Sequence, residues 1–359
     1  MAGVTPRTPD NPETPAVSVI VRCFNYGHLL PRALTAVMAQ TFSSWECLVV
    51  DDGSTDETRG VVAGFSTRDR RIRYVHQGNR GVSAAANRGI QATMGRFLQF
   101  LDADDAIEER KLERHVALLE STPTADVAYS DAAYFREADD GSWSEELTGR
   151  WMPGISGPGA SVLPFLANDN IMAVDCALVR REAVVRVGMF DDQLASHEDW
   201  DLWLRLAVAG SGFVFLDEPG TRALVGIHPG SMSQDSLRML STRLAVLRKV
   251  RPDLPDGEIR VLNEKSTIVT LALLLATSLR AREWRRAGRA LSEIAGLGRD
   301  GSLSRVLRLL LRGRGKLRMT PAEFVAHLFR GPSSIRPAPY RGVRDQANGS
   351  RLDRPPKDG

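Results

Sequence analysis

Cysteine is scarce in this 359-residue chain: the three thiols, Cys23, Cys47 and Cys176, are too scattered to build a disulfide framework or a zinc site. That scarcity fits a reducing compartment. Long apolar runs are missing as well. The longest, Ile268 to Leu279, spans about a dozen residues where a membrane-crossing helix needs roughly twenty, so a buried or interfacial helix is expected there. The N-terminus carries Pro6, Pro9, Pro12 and Pro15 and no apolar stretch. Residues 1–15 therefore read as a disordered leader rather than a signal peptide, and a cytoplasmic protein is expected. No repeat of fixed period occurs. No glycine-rich phosphate loop follows the first β-rich run, where CFNYGHLL stands instead, and a nucleotidyltransferase would be expected to carry one.

What is present suffices for a full core. The chain is 43% hydrophobic and 25% charged, the composition of an ordinary globular protein of one large domain with an appendage, or of two domains. The net charge of +3 conceals an asymmetry. Residues 1–279 hold 28 Lys/Arg against 37 Asp/Glu, net −9, whereas residues 280–359 hold 19 against 7, net +12.

From Val17 onward, β-rich runs alternate with helical ones. VSVIVRCF suits a strand buried on both faces. Leu30, Ala33, Leu34 and Val37 recur at helical spacing, with Pro31 tolerated in the first turn. ECLVVDD is strand-like, and Ser54 followed by Glu57 predicts a capping box opening the next helix. IRYVHQ, VSAAANRGIQAT and RFLQFLD continue the series, so a mostly parallel sheet flanked by helices is expected. AIEERKLERHVALLEST predicts a helix, DVAYSDAAYF one strand, residues 138–158 a loop, AVDCALVR a strand, and REAVVRVG and EDWDLWLRLAVAG helices closed by Gly188 and Gly210. Beyond Ser231 the pattern is helical and basic, and residues 331–359 read as a disordered tail. The expected division is 1–15, 16–230, 231–330 and 331–359.

Ligands of open α/β sheets bind outside the carboxyl ends of the strands, and two strands here end in acids. One gives Asp51 and Asp52, the other Asp102, Asp104 and Asp105. Turn and cap chemistry alone accounts for DDGSTD, and Asp105 with Glu108 suits an N-cap pair. Asp102 and Asp104 remain unexplained by that. Asp-x-Asp presents hard oxygen ligands suited to Mg²⁺ beside a phosphate.

VSVIVRCFNYGHLLPRALTAVMAQTFSSWECLVVDDGSTDET, GNRGVSAAANRGIQATMGRFLQFLDADD and HEDWDLWLRL, in that order and spacing, closely resemble the family 2 glycosyltransferases over about residues 16–230. The resemblance implies the GT-A fold, an α/β sheet flanked by helices, here with a C-terminal helical extension. It implies a nucleotide diphosphate sugar donor, a divalent cation (Mg²⁺ or Mn²⁺), and a glycan or lipid-linked acceptor. By the same resemblance, Cys23, Phe24 and Asn25 border the base and ribose, and Asp52, with Asp51 beside it, accepts a hydrogen bond from the base. Asp104 binds the cation, and Asp102 contacts the ribose or supports that ligand. Asn87 lies in AANRGI, where relatives often read ARNRGI. Ala86 thus removes an expected phosphate contact, for which Arg80 and Arg88 are candidate substitutes. Asp199 is the expected general base, with Glu198 its neighbour and Trp200 a core or acceptor-wall residue. First-turn acids also stabilise a helix dipole without any catalysis. His228 is a further candidate for the metal or diphosphate site, His197 a candidate for acceptor contact.

Arg282, Arg285, Arg286 and Arg289, then Arg305, Arg308 and Arg312, recur at helical spacing among apolar residues. Such basic amphipathic helices suit a peripheral membrane contact or a solvated face packed on the acidic part. Nucleic acid is not expected, because no aromatic-studded basic motif is present. The rival from a different class is a nucleotide- or glycan-binding module of the same fold that has lost turnover.

Overall fold

The run Val17–Cys23 forms β1, and every residue in it is buried. Both faces are covered: Val17, Val19 and Val21 enter one apolar cluster and Ile20 the other. The structure, a computed structural model, describes residues 14–137, 143–147, 152–228 and 230–296. Its strands continue with β2 (Trp45–Asp51), β3 (Ile72–His76), β4 (Phe97–Asp102), β5 (Ala106–Ile107), β6 (Ala125–Ser130), β7 (Ala132–Glu137), β8 (Trp143–Leu147), β9 (Ala177–Arg180), β10 (Gly212–Leu216) and β11 (Ala223–Ile227). The helices are α1 (Leu30–Met38), α2 (Thr58–Arg68), α3 (Val82–Ala92), α4 (Lys111–Ser121), α5 (Gly159–Leu166), α6 (Arg181–Arg186), α7 (Glu198–Val208), α8 (Ser236–Val250), α9 (Glu258–Arg280) and α10 (Trp284–Gly296).

Seven strands form the main sheet in the order β10-β6-β9-β4-β1-β2-β3, parallel except for β9, which runs antiparallel to β4 and β6. In register, Cys23 lies beside Asp51, Arg22 beside Asp102, and Asp51 beside His76. Parallel pairing therefore delivers three strand ends to one edge. A smaller sheet, β5-β11-β7-β8, stands apart from it. α3 sits close on β1, where a Cβ added to Gly89 would meet Ile20 Cγ2 at 2.2 Å. Trp200 and Trp203 of α7 are fully buried. A cavity left by truncating such a ring costs about 3–5 kcal/mol, so α7 is firmly seated. Val246, Leu247 and Val250 of α8 join the same cluster.

Several local expectations are corrected. Ser54 does not cap a helix; its hydroxyl accepts from the Asn25 N–H, and α2 begins only at Thr58. The Asp56 carboxylate binds both Thr58 and the Gly27 N–H, so the turn and β1 compete successfully for these groups. Asp105 caps nothing either: β5 follows it, its carboxylate accepts from the Gly226 N–H, and Glu108 pairs with Arg222. DVAYSDAAYF divides at Asp131 into β6 and β7, which belong to different sheets. AVDCALVR opens with a 3₁₀ turn before β9, and the expected loop at 138–158 contains β8. The run Ile268 to Leu279 lies within α9, with Leu271 to Leu275 buried. No helix among the described residues is long and apolar enough to cross a membrane. The leader up to residue 13, Arg305, Arg308, Arg312 and the 331–359 tail lie outside the described residues.

Candidate active site

The ends of β1, β2 and β4 and the start of α7 enclose a cavity of about 430 Å³. Of the residues singled out from sequence, Cys23, Phe24, Asp52, Asp102, Asp104 and Glu198 line it. Arg22, Tyr26 and Arg238 line it too and were not anticipated.

Asp52 is almost completely buried, and its carboxylate accepts from the Gln77 side chain at 2.8 Å and from the Arg80 and Gly81 N–H groups at 2.9 and 2.7 Å. It thereby holds the loop before α3 against the cavity. Asp51 points elsewhere, accepting from Tyr74 at 2.5 Å and the Ser54 N–H at 2.8 Å, and it borders a separate cavity with Arg59 and His76. Asn25, in the left-handed region at φ 56°, accepts from the Thr55 N–H and fastens β1 to the turn after β2. Asn87 makes two hydrogen bonds to the backbone of Phe190, each 2.9 Å. Its amide is thus spent in joining α3 to the segment before α7. Burial raises the Cys23 thiol to about 11, so it stays protonated and unreactive at neutral pH.

An arginine within a fully buried strand must find partners. The Arg22 guanidinium, 3% exposed, reaches Asp102 at 2.6 Å and Glu198 at 2.7 Å. Burial opposes its charge, but the two carboxylates outweigh that effect and raise its affinity for the proton. Arg22 thus ties the β4 end to the first turn of α7. Behind it, Asp175 accepts from the Asp102 N–H, and Asp175 hydrogen-bonds Asp105. Burial raises both Asp105 and Asp175 above the ordinary carboxylate range. Although Asp102, Asp105 and Asp175 bring ligand atoms within 4.8 Å of one another, Asp105 and Asp175 are committed to supporting backbone.

Asp104 presents a different donor set. Its Oδ2 lies 2.9 Å from His228 Nε2, and Tyr26 packs edge-on against the His228 ring, its hydroxyl donating to the Gly230 carbonyl. A carboxylate and an imidazole brought together beside a cavity that other carboxylates line fit a divalent cation.

Asp199 lies next to the cavity-lining Glu198 but does not line the cavity itself. Its carboxylate accepts from the Asn170 amide at 3.0 Å and the Trp200 N–H at 2.6 Å. Burial first, then the charge of Glu198, push its pKa up to about 7. Trp200 is a core residue whose indole N–H donates to the Leu166 carbonyl. His197, at φ 56°, stands 3.1 Å from the Thr242 hydroxyl, and burial lowers its pKa to about 4.

Residues 18–188 match glycosyl transferase family 2. A putative teichuronic acid biosynthesis glycosyltransferase of Bacillus subtilis, TuaG, is 28% identical over 197 residues, covering 55% of this chain and 73% of that one. The chain spans only 26–31% of the length of the Rickettsia glycosyltransferases that it matches at 27–28% identity. Among solved structures, S. aureus TarS 1-349 in complex with UDP-GlcNAc superposes with a TM-score of 0.58 at 17% identity, covering 77% of this chain and 80% of that one. A mannosyltransferase from Pyrobaculum calidifontis, with GDP-Man and Mn²⁺, gives 0.54 at 19% identity, covering 89% and 85%. At these identities the likeness establishes the GT-A fold.

Proposed function

We propose, from the match of residues 18–188 to glycosyl transferase family 2, that the chain is an inverting enzyme that moves a sugar from a nucleotide diphosphate donor to a hydroxyl acceptor. In a single displacement the acceptor oxygen attacks the anomeric carbon, the bond from that carbon to the diphosphate oxygen breaks, and the nucleoside diphosphate leaves with the electron pair. The acceptor proton goes to Asp199.

The observation that carries this reading is the division of labour between neighbouring acids. Glu198 is bound to a buried arginine, whereas Asp199 has a proton affinity raised to about 7, near the value at which a carboxylate serves as a general base at neutral pH. Asn170 orients the Asp199 carboxylate. Arg22 fixes Glu198 and Asp102, so the donor side and α7 keep one spacing. Asp52 shapes the wall where the base would lie, through the loop it holds. Asp104 and His228 are the residues that would hold Mg²⁺ or Mn²⁺, which when bound would screen the diphosphate charge. A panel of nucleotide diphosphate sugars with Mn²⁺, read by thermal stabilisation and donor turnover, tests the reading. Stabilisation and turnover by one donor are expected; no response to any donor would overturn it.

The acceptor side of the proposal is a glycan or lipid-linked substrate met at an anionic bilayer. α10 supports it: Trp284 is 66% exposed and Leu291 52% exposed on one stripe, and Arg285, next to Trp284, is exposed on the same helix. The chain should sediment with phosphatidylglycerol vesicles and not with phosphatidylcholine, and Trp284→Ser with Arg285→Ser should abolish sedimentation. Unaltered binding by that variant would remove α10 from the proposal.

A further inference from the structure

The cavity holds four carboxylates, those of Asp52, Asp102, Asp104 and Glu198, and two cations, Arg22 and Arg238. Arg22 is neutralised by Asp102 and Glu198. A dianionic diphosphate entering this space needs further positive charge, and Ala86, buried in α3, supplies none. The arginines near it in sequence do not face the cavity. Arg80 lies 3.9 Å from Asp192, and Arg88 is exposed on α3.

Arg238, from the first turn of α8, does face it. Its own N–H donates to the Asp235 carboxylate, which fixes the helix start and hence where the side chain leaves the backbone. Its Nε and one terminal nitrogen donate to the carbonyl of Ala195, three residues before Glu198. That partner is neutral, so it orients the guanidinium without cancelling its charge. Among the described residues, Arg238 has no carboxylate within ion-pair distance. A guanidinium has five N–H donors; those left after Ala195 can serve a bidentate contact with phosphate.

We propose that Arg238 binds the diphosphate of the donor, providing from α8 the cation that α3 lacks. The assignment rests on the reading of the cavity as a nucleotide diphosphate sugar site. Holding Ala195 and phosphate together, it also links donor occupancy to the loop that leads into the Glu198–Asp199 turn.

The test measures UDP and GDP binding, each with Mn²⁺, to the full-length protein and to Arg238→Gln, which retains a donor for the Ala195 carbonyl but carries no charge. Losing a charge-assisted phosphate contact is expected to weaken diphosphate binding about 10- to 100-fold and to flatten its dependence on ionic strength. Arg238→Lys should restore part of both. Matching thermal unfolding of the apo proteins keeps a folding defect from being read as lost binding, and if the Gln variant unfolds, the Lys variant carries the comparison through its salt dependence. Unchanged affinity and salt dependence, with the unaltered protein binding normally, would overturn the role of Arg238 and leave the proposed function standing. Failure of the unaltered protein to bind either nucleotide would overturn both.

Discussion

Replacing Asp199 with Asn should damage activity and strengthen the fold, and the two effects should separate with pH. The Asp199 pKa lies near 7 in the folded protein, above its unfolded value near 4. The folded state therefore holds the extra proton between those values, and stability falls as pH rises through that window. At about 1.4 kcal/mol per unit, ~4 kcal/mol bounds the effect, and partial exposure of the side chain reduces the expectation to ~1–3 kcal/mol. Asn is neutral at every pH. The variant should exceed the unaltered protein in stability by that amount at pH 8, by less at pH 5, and by nothing below about pH 4. Turnover should fall about 10²- to 10⁴-fold with donor affinity nearly unchanged, and in the unaltered enzyme kcat/KM should rise with pH through about 7. Denaturant titrations at pH 5 and 8, paired with donor binding and turnover, make the comparison. Normal turnover, or equal destabilisation at both pH values, would refute the reasoning.

Arg22→Met leaves Asp102 and Glu198 facing each other without the cation, so a loss of about 3–5 kcal/mol is expected in thermal or denaturant unfolding. Adding Glu198→Gln should recover part of that loss, and additive destabilisation would argue against a shared ion pair. Asp104→Asn and His228→Ala should each weaken Mn²⁺ binding by about tenfold or more, measured by titration with the ion alone. Unchanged Mn²⁺ affinity in both would exclude them as ligands.

How much of this was readable in advance varied with the range of the interactions involved. The order of strands and helices follows periodicity, and β1, α1, β2 and α7 fall where apolar spacing puts them because burial on one or both faces is a local pattern. Helix starts were less legible. Ser54 had the right spacing for a cap, but the strand-end backbone 29 residues away claimed its hydroxyl. DVAYSDAAYF looked continuous, yet its two halves pair with different sheets, and no local signal marks such a change of partner. Nothing in the local pattern marks Lys111 for burial. It is fully buried, donating to Ser130 and to the carbonyls of Cys176 and Thr221, three partners distant in sequence.

The sequence by itself determined that acids would gather at the carboxyl edge of a mostly parallel sheet, because strand order and residue type are both local properties. Only the tertiary structure decided what each acid does there. It set Asp52 and Asp51 on different cavities, joined Asp102 to Glu198 through Arg22, and left Asp199 with a raised proton affinity. It also placed Arg238 in the cavity. Burial and charge pairing act between groups separated by up to 176 residues along the chain, and their balance exists only once the fold has brought those groups together.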